Sequence, residues 1–188
     1  MPRDENGVVA NIAMLSRGII ARTNLGKLYE QYISASSRQT KMEIIDILGV
    51  KDSKQVYNLP STAIDTAYNY LLDYLSHYNT MQYKMYSGQL KTNDVSDSRE
   101  IPSMIEITMD DKREILEDIV SKELYIIYNI EEEDSAYDIT CRLEDSKFKL
   151  KPTKVYVKDP TSQTFKVMKG RTIIAPMYIV MLNKITDT

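Results

Sequence analysis

Met1-Pro2-Arg3-Asp4-Glu5-Asn6-Gly7-Val8-Val9-Ala10-Asn11-Ile12-Ala13-Met14-Leu15 opens the chain, and Ser16-Arg17-Gly18-Ile19-Ile20-Ala21-Arg22-Thr23-Asn24-Leu25-Gly26-Lys27-Leu28-Tyr29-Glu30 follows it. Asp4–Gly7 carries turn chemistry: short polar side chains can bond their own backbone, and Gly7 is free to take positive φ. The apolar run Val8–Leu15 then reads as a buried strand. Ser16–Ala21 reads as a connection with Gly18 as its flexible point. Thr23 or Asn24 can N-cap a helix, since a short side-chain oxygen accepts an orphan backbone N–H. Leu25, Leu28, Tyr29, Tyr32 and Ile33 form a helical stripe that is expected to end in the polar run Ser34–Gln39.

Working outward, Met42, Ile44, Ile45, Ile47 and Leu48 suggest a second short helix stopped by Gly49. Asp52–Leu59 reads as a connection. Pro60-Ser61 opens the strongest helical pattern, Thr62 to about Tyr78, with Ile64, Ala67, Tyr68, Leu71, Leu72 and Leu75 at helical spacing. Gly88–Arg99 is polar and reads as a loop. Met104–Thr108 alternates like a strand, and Asp110-Asp111 is expected to cap a helix over Lys112–Lys122, with Ile115, Leu116, Ile119 and Val120 inward. Leu124–Ile130 is β-rich, and Glu131–Asp138 reads as an acidic loop. Strands are expected at Phe148–Leu150, Thr153–Lys158, Thr164–Met168 and Thr172–Asn183. The fold class is therefore α+β: strand-rich ends forming sheet or barrel-like elements, with a helical insertion between them.

The chain has 188 residues, enough for a real core. Its net charge of −3 gives no overall basic footprint for nucleic-acid binding. A single cysteine, Cys141, excludes an internal disulfide framework and fits a reducing compartment. No apolar run reaches the roughly 18–20 residues of a membrane span, so no membrane partner is expected. Fourteen tyrosines against two phenylalanines and no tryptophan is an unusual aromatic balance.

The opening stretch resembles part of the β subunit of bacterial-type multisubunit RNA polymerases. There a Met-Pro precedes an Asp-Glu-Asn-Gly turn, a hydrophobic strand, and a Ser-Arg-Met-Asn-Ile-Gly helix start. A second block, Lys154–Phe165 and then Thr172-Ile173-Ile174-Ala175-Pro176-Met177-Tyr178-Ile179-Val180-Met181-Leu182-Asn183-Lys184, is similar to the family's strand–turn–strand and its Val-Thr-Val-Gly-Tyr-Met-Tyr-Met-Leu-Lys-Leu-Asn-His strand. The blocks occur in the family's order and cover about a third of the chain. The resemblance divides the sequence into residues 1–34, a divergent and mainly helical 35–152, and a strand block 153–188, expected to form one compact unit of a larger subunit. The matching positions are Met1, Pro2, Gly7, Arg22, Asn24, Gly26, Met177, Tyr178, Leu182 and Asn183.

By this resemblance Arg22 faces the triphosphate of the incoming nucleotide. A guanidinium suits that role because it stays charged and bonds phosphate oxygens in pairs. The resemblance implies no catalytic residue in this segment and no directly bound cofactor: the family's Mg²⁺ is held by an Asp-x-Asp-x-Asp cluster in another subunit. It implies as partners a β′-like subunit, the remaining β pieces, and DNA template, RNA and NTP in the assembled enzyme. The family's active-centre lysines and its later clamp elements have no counterpart here, so the chain is expected to be an excised interior segment or one piece of a split subunit, inactive alone. Split, divergent β subunits are typical of large tailed bacteriophages, which implies a phage source and a cytoplasmic setting in the bacterial host. The sequence departs from the family at Ile20-Ala21-Arg22-Thr23, where Pro-Ser usually precedes the arginine.

Read without the resemblance, Arg22 and Arg17 are loop cations, Asn24 a cap, Gly26 a site of close packing, and Glu30 a solvated helix residue. Asp94, Asp97, Asp110 and Asp111 read as loop and cap residues. The acidic run 131–138 lacks calcium-loop spacing. His77 has no triad around it and reads as a partly buried helix residue. Tyr68, Tyr70, Tyr74, Tyr78, Tyr83 and Tyr86 could stack on bases, but their helical spacing favours core and rim. The alternative to a polymerase segment is a stand-alone, non-enzymatic phage or bacterial interaction or adaptor protein. A stand-alone nucleotide-binding enzyme would need a phosphate loop or paired carboxylates, and the sequence offers neither.

Overall fold

The computed structural model describes residues 1–14, 16–21, 23–78, 81–88, 107–126 and 135–177. The chain divides into two compact units, where the sequence suggested one: residues 1–35 with 152–188, and residues 36–151. The first unit is thus built from the two sequence blocks that carry the resemblance.

In the first unit, β1 (Arg3–Asp4), β2 (Thr153–Lys158) and β3 (Phe165–Thr172) form an open antiparallel sheet in the order β1-β2-β3, not a barrel-like element. Arg3 pairs with Tyr156 and Asp4 with Val155, while β2 runs against β3 from Lys158↔Phe165 to Thr153↔Thr172 with an irregularity between Lys154 and Tyr156. The six-residue turn between β2 and β3 is organised by Asp159. Its backbone N–H donates to the Thr164 carbonyl (2.9 Å) and its carboxylate accepts from the Thr161 N–H (2.8 Å). Lys166 pairs with the same carboxylate, and these contacts hold it below its ordinary pKa, the lysine first.

The expected Val8–Leu15 strand is not formed over its described residues. Val9 makes an isolated bridge to Arg3 and Ala10 donates to the Pro2 carbonyl (2.8 Å), but the tight Asp4–Val8 turn offers only residues 2–4 as a partner. Ile12 and Met14 stay exposed. Ser16–Ala21 is a short helix, α1, with Gly18 inside it. β3 ends at Thr172, residues 173–177 are not a strand, and Tyr178, Leu182 and Asn183 lie outside the described residues.

The two helices expected between residues 25 and 48 are one, α2 (Gly26–Leu48), which runs from the first unit into the second and ends at Gly49 with φ +65°. The polar run read as its end is instead a buried face: Ser36, Ser37 and Thr40 are all buried. Ser36 Oγ donates to the Phe148 carbonyl (3.5 Å) and Ser37 Oγ to that of Leu124. These hydroxyls also surround that of Tyr74 on α3 (Ser61–Ser76), which lies 2.6 Å from the Tyr78 hydroxyl. Hydroxyl-bearing side chains can be buried when their partners are supplied, and here tyrosines and loop carbonyls supply them.

α3 carries Ile64, Ala67, Tyr68, Leu71, Tyr74 and Leu75 into the core of the second unit. Phe148 meets Tyr70, Tyr74 and His77 edge-on at ring separations of 5.1–5.3 Å. Residues expected as a plain connection form a 3-10 helix, Ser53–Asn58, capped by Asp52 with Gln55. α4 covers Met81–Tyr86. α5 (Met109–Ser121) packs on α3 and on the 3-10 helix. Its N-cap is Thr108, and Asp111 of the expected pair completes a capping box: Thr108 and Asp111 bond each other's backbone N–H reciprocally. Thr108 is therefore not part of a strand, and residues 101–106 lie outside the described set.

Ser135 and Asp138 make the same capping box for α6 (Ala136–Glu144), a helix where the sequence suggested the tail of an acidic loop. Phe148 and Leu150 are buried but not in a strand, and neither are residues 123–126. Among the described residues no helix is long and apolar enough to cross a membrane.

Candidate functional site

The site proposed from sequence lies where the chain passes from α1 into α2. The approach to it starts at Asp4, which is buried and accepts from the N–H groups of Asn6 (3.0 Å) and Val8 (2.7 Å). Gly7, at φ +84°, closes this turn, as its positive φ requires. Met1 is exposed, and Pro2 contributes its carbonyl to Ala10.

Beyond α1 the chain reverses. The Thr23 N–H bonds the Ile20 carbonyl (2.9 Å) and the Asn24 N–H bonds that of Ile19 (3.2 Å), the paired bonds of a left-handed helix end. Thr23 takes φ +57° to do this. Glycine is the usual residue there; a β-branched one is a strained outlier. Such strain often accompanies functional positions, and it falls next to position 22.

The carbonyls of Asn24 and Leu25 accept from Lys27 (3.2 Å), Leu28 (2.9 Å) and Tyr29 (3.3 Å). The first turn of α2 holds no acidic residue, so the positive end of the helix dipole is not offset there. Lys27 adds a cation, paired with Glu30 at 2.7 Å. A Cβ on Gly26 would meet open space, so the close packing expected of that glycine is not what the position uses. Arg22 itself lies outside the described residues, Arg17 is exposed, and Met177 is half-buried.

The other sequence candidates resolve as parts of the core. Tyr68, Tyr74 and Tyr78 are buried, and Tyr70, Tyr83 and Tyr86 are half-buried. Burial pushes the Tyr74 hydroxyl up to about 12 against the opposing pull of its bonds to Ser36, Tyr78, Ser37 and Thr40. Burial likewise raises Tyr68, and raises Tyr70 together with its bond to Glu43. His77 ends α3, half-buried, with Nδ1 2.8 Å from the Asp73 carbonyl oxygen. Cys141 is a free thiol on α6. Asp111 and Asp138 are cap residues held below the ordinary carboxylate range by their bonds to Thr108 and Ser135.

A groove of about 490 Å³ in the second unit is lined by Gln82, Tyr86, Glu114, Asp118, Lys122 and Glu123 among others. Lys122 is already paired with Asp118 at 2.6 Å. Among the described residues no group of three or more His, Cys, Asp or Glu could hold a metal ion. No protein-family model matches the sequence, and no curated protein matches it.

Proposed function

We propose that this chain is a segment of a divergent, phage-type β subunit of a DNA-directed RNA polymerase, inactive alone, that helps line the nucleotide-binding side of the active-site cleft in an assembly with a β′-like subunit. The observation that carries this reading is the pairing of β1 with β2. The two blocks that resemble the family are separated in sequence by residues 36–151, yet Arg3–Asp4 and Thr153–Lys158 share one sheet. The more specific pairing that this reading calls for, Val8–Leu15 beside Thr172–Asn183 in one sheet, is not formed over the described residues, where residues 8–14 and 173–177 are not strand. The strained turn at Thr23 and the absence of acidic side chains from the first turn of α2 give the Arg22 region the chemistry of an anion site.

In this role Arg22 holds triphosphate oxygens while metal ions borne by another subunit carry the phosphoryl chemistry. Arg22→Ala in the assembled polymerase is expected to raise the nucleotide KM about tenfold or more with folding intact, because a charge-assisted bond to phosphate is lost. An unchanged KM and kcat would refute the triphosphate role. A stand-alone interaction protein is the second reading, favoured by the exposed Ile12, Met14, Ile20 and Leu25 of the first unit. It predicts a normal KM in that experiment and a chain that stays apart from the polymerase.

A further inference from the structure

The whole-chain charge of −3 hides a segregation. Residues 1–35 and 152–188 hold ten basic and five acidic side chains, a net +5, whereas residues 36–151 hold fourteen and twenty-two, a net −8. The positive charge of the first unit gathers on its sheet.

Residues opposite one another in an antiparallel pair share a face. The register places Arg3, Tyr156 and Val167 on one face, with Lys158 and Phe165 as the next opposed pair and Lys154 opposite Arg171 beyond the irregularity. Asp4 and Val155, both buried, belong to the other face. The first face is open: Lys154, Lys158, Phe165, Val167 and Arg171 are exposed, Phe165 by 42 %. Arg3 is half-buried: its guanidinium lies 4.1 Å from the centre of the Phe165 ring, and its buried Nε has no hydrogen-bond partner. Lys154 and Lys158 stand about 13 Å apart along β2.

We infer that this face binds single-stranded nucleic acid, with Arg3, Lys154, Lys158 and Arg171 on the phosphates and Phe165, backed by Arg3, and Tyr156 stacking on bases. Cations alternating with aromatic side chains on an open sheet match a polyanion that also presents flat apolar bases. An acidic protein would satisfy the cations but would leave the ring platform without a stacking partner. The inference stands on the sheet alone and does not need the polymerase reading; it fails or holds whatever Arg22 does.

The test is fluorescence anisotropy of a labelled oligothymidylate with the full chain. We expect binding whose log–log salt slope is about −3, from four phosphate contacts at about −0.7 each. Lys154→Glu with Lys158→Glu should weaken binding and roughly halve that slope. Phe165→Ala should weaken it about tenfold and leave the slope unchanged. Lys51→Glu in the second unit, the control, should change little. Circular dichroism checks that each variant is folded. No binding at low salt, a duplex or heparin bound as well as the single strand, a Phe165→Ala variant that binds normally, or an equal loss with Lys51→Glu would each overturn the proposal.

Discussion

At the scale of single residues, Asp4 and Gly49 each do one identifiable job. Asp4 was legible as a turn residue because a short carboxylate followed by Asn-Gly has few other uses. Its burial, and its two bonds to Asn6 and Val8, come from the fold around it. Asp4→Ala should cost about 2 kcal/mol in chemical denaturation, since two bonded N–H groups lose their charged acceptor. Gly49 ends α2 at φ +65°, and a Cβ there meets nothing within 4 Å. Gly49→Ala should therefore cost about 1 kcal/mol through backbone strain alone; a neutral result would mean that the helix end rearranges. Thr23 shows where residue-level reading stops. Its side chain suggests a cap, but the helix on its N-terminal side imposes a left-handed backbone that no propensity would assign to threonine.

At the scale of elements, the sequence reading failed where polar residues are buried. Ser34–Gln39 looks like a helix end because hydroxyls compete with the helix backbone. It is the middle of α2 because Tyr74, Phe148 and Leu124 supply the bonds, and those partners lie far away in sequence. Tyr74→Phe should cost about 1–2 kcal/mol, removing a hydroxyl 2.6 Å from that of Tyr78 and set among Ser36, Ser37 and Thr40. The same cluster predicts alkaline lability. Tyr74 ionises near pH 10 when unfolded but only at about 12 in place, so the folded state holds its proton more tightly. That stabilisation is intact below about pH 10 and is lost as the pH rises towards 12. The last part of the tyrosinate absorbance should then appear together with loss of helical circular dichroism; ionisation of all fourteen tyrosines near pH 10 with helices intact would contradict it. α6 was legible after all: Ser135-x-x-Asp138 is a capping-box pattern, obscured by the acidic residues before it.

At the scale of the whole molecule, β2 and the first half of β3 were legible from their β-rich composition, whereas the break expected between Met168 and Thr172 is absent because β3 runs on to Thr172. The identity of their neighbour was not legible, because pairing across residues 36–151 is a tertiary choice that local pattern does not encode. That pairing joins the two family-like blocks and carries the account of the chain as part of a polymerase β subunit. The most direct test is to recover the tagged chain from the cells that make it and assay DNA-dependent incorporation of labelled ribonucleotides. The account predicts that the chain co-purifies in stoichiometric amount with that activity, and that Arg22→Ala raises the nucleotide KM of the recovered complex. A chain recovered without RNA-synthesising activity, or activity whose KM ignores Arg22, would contradict it.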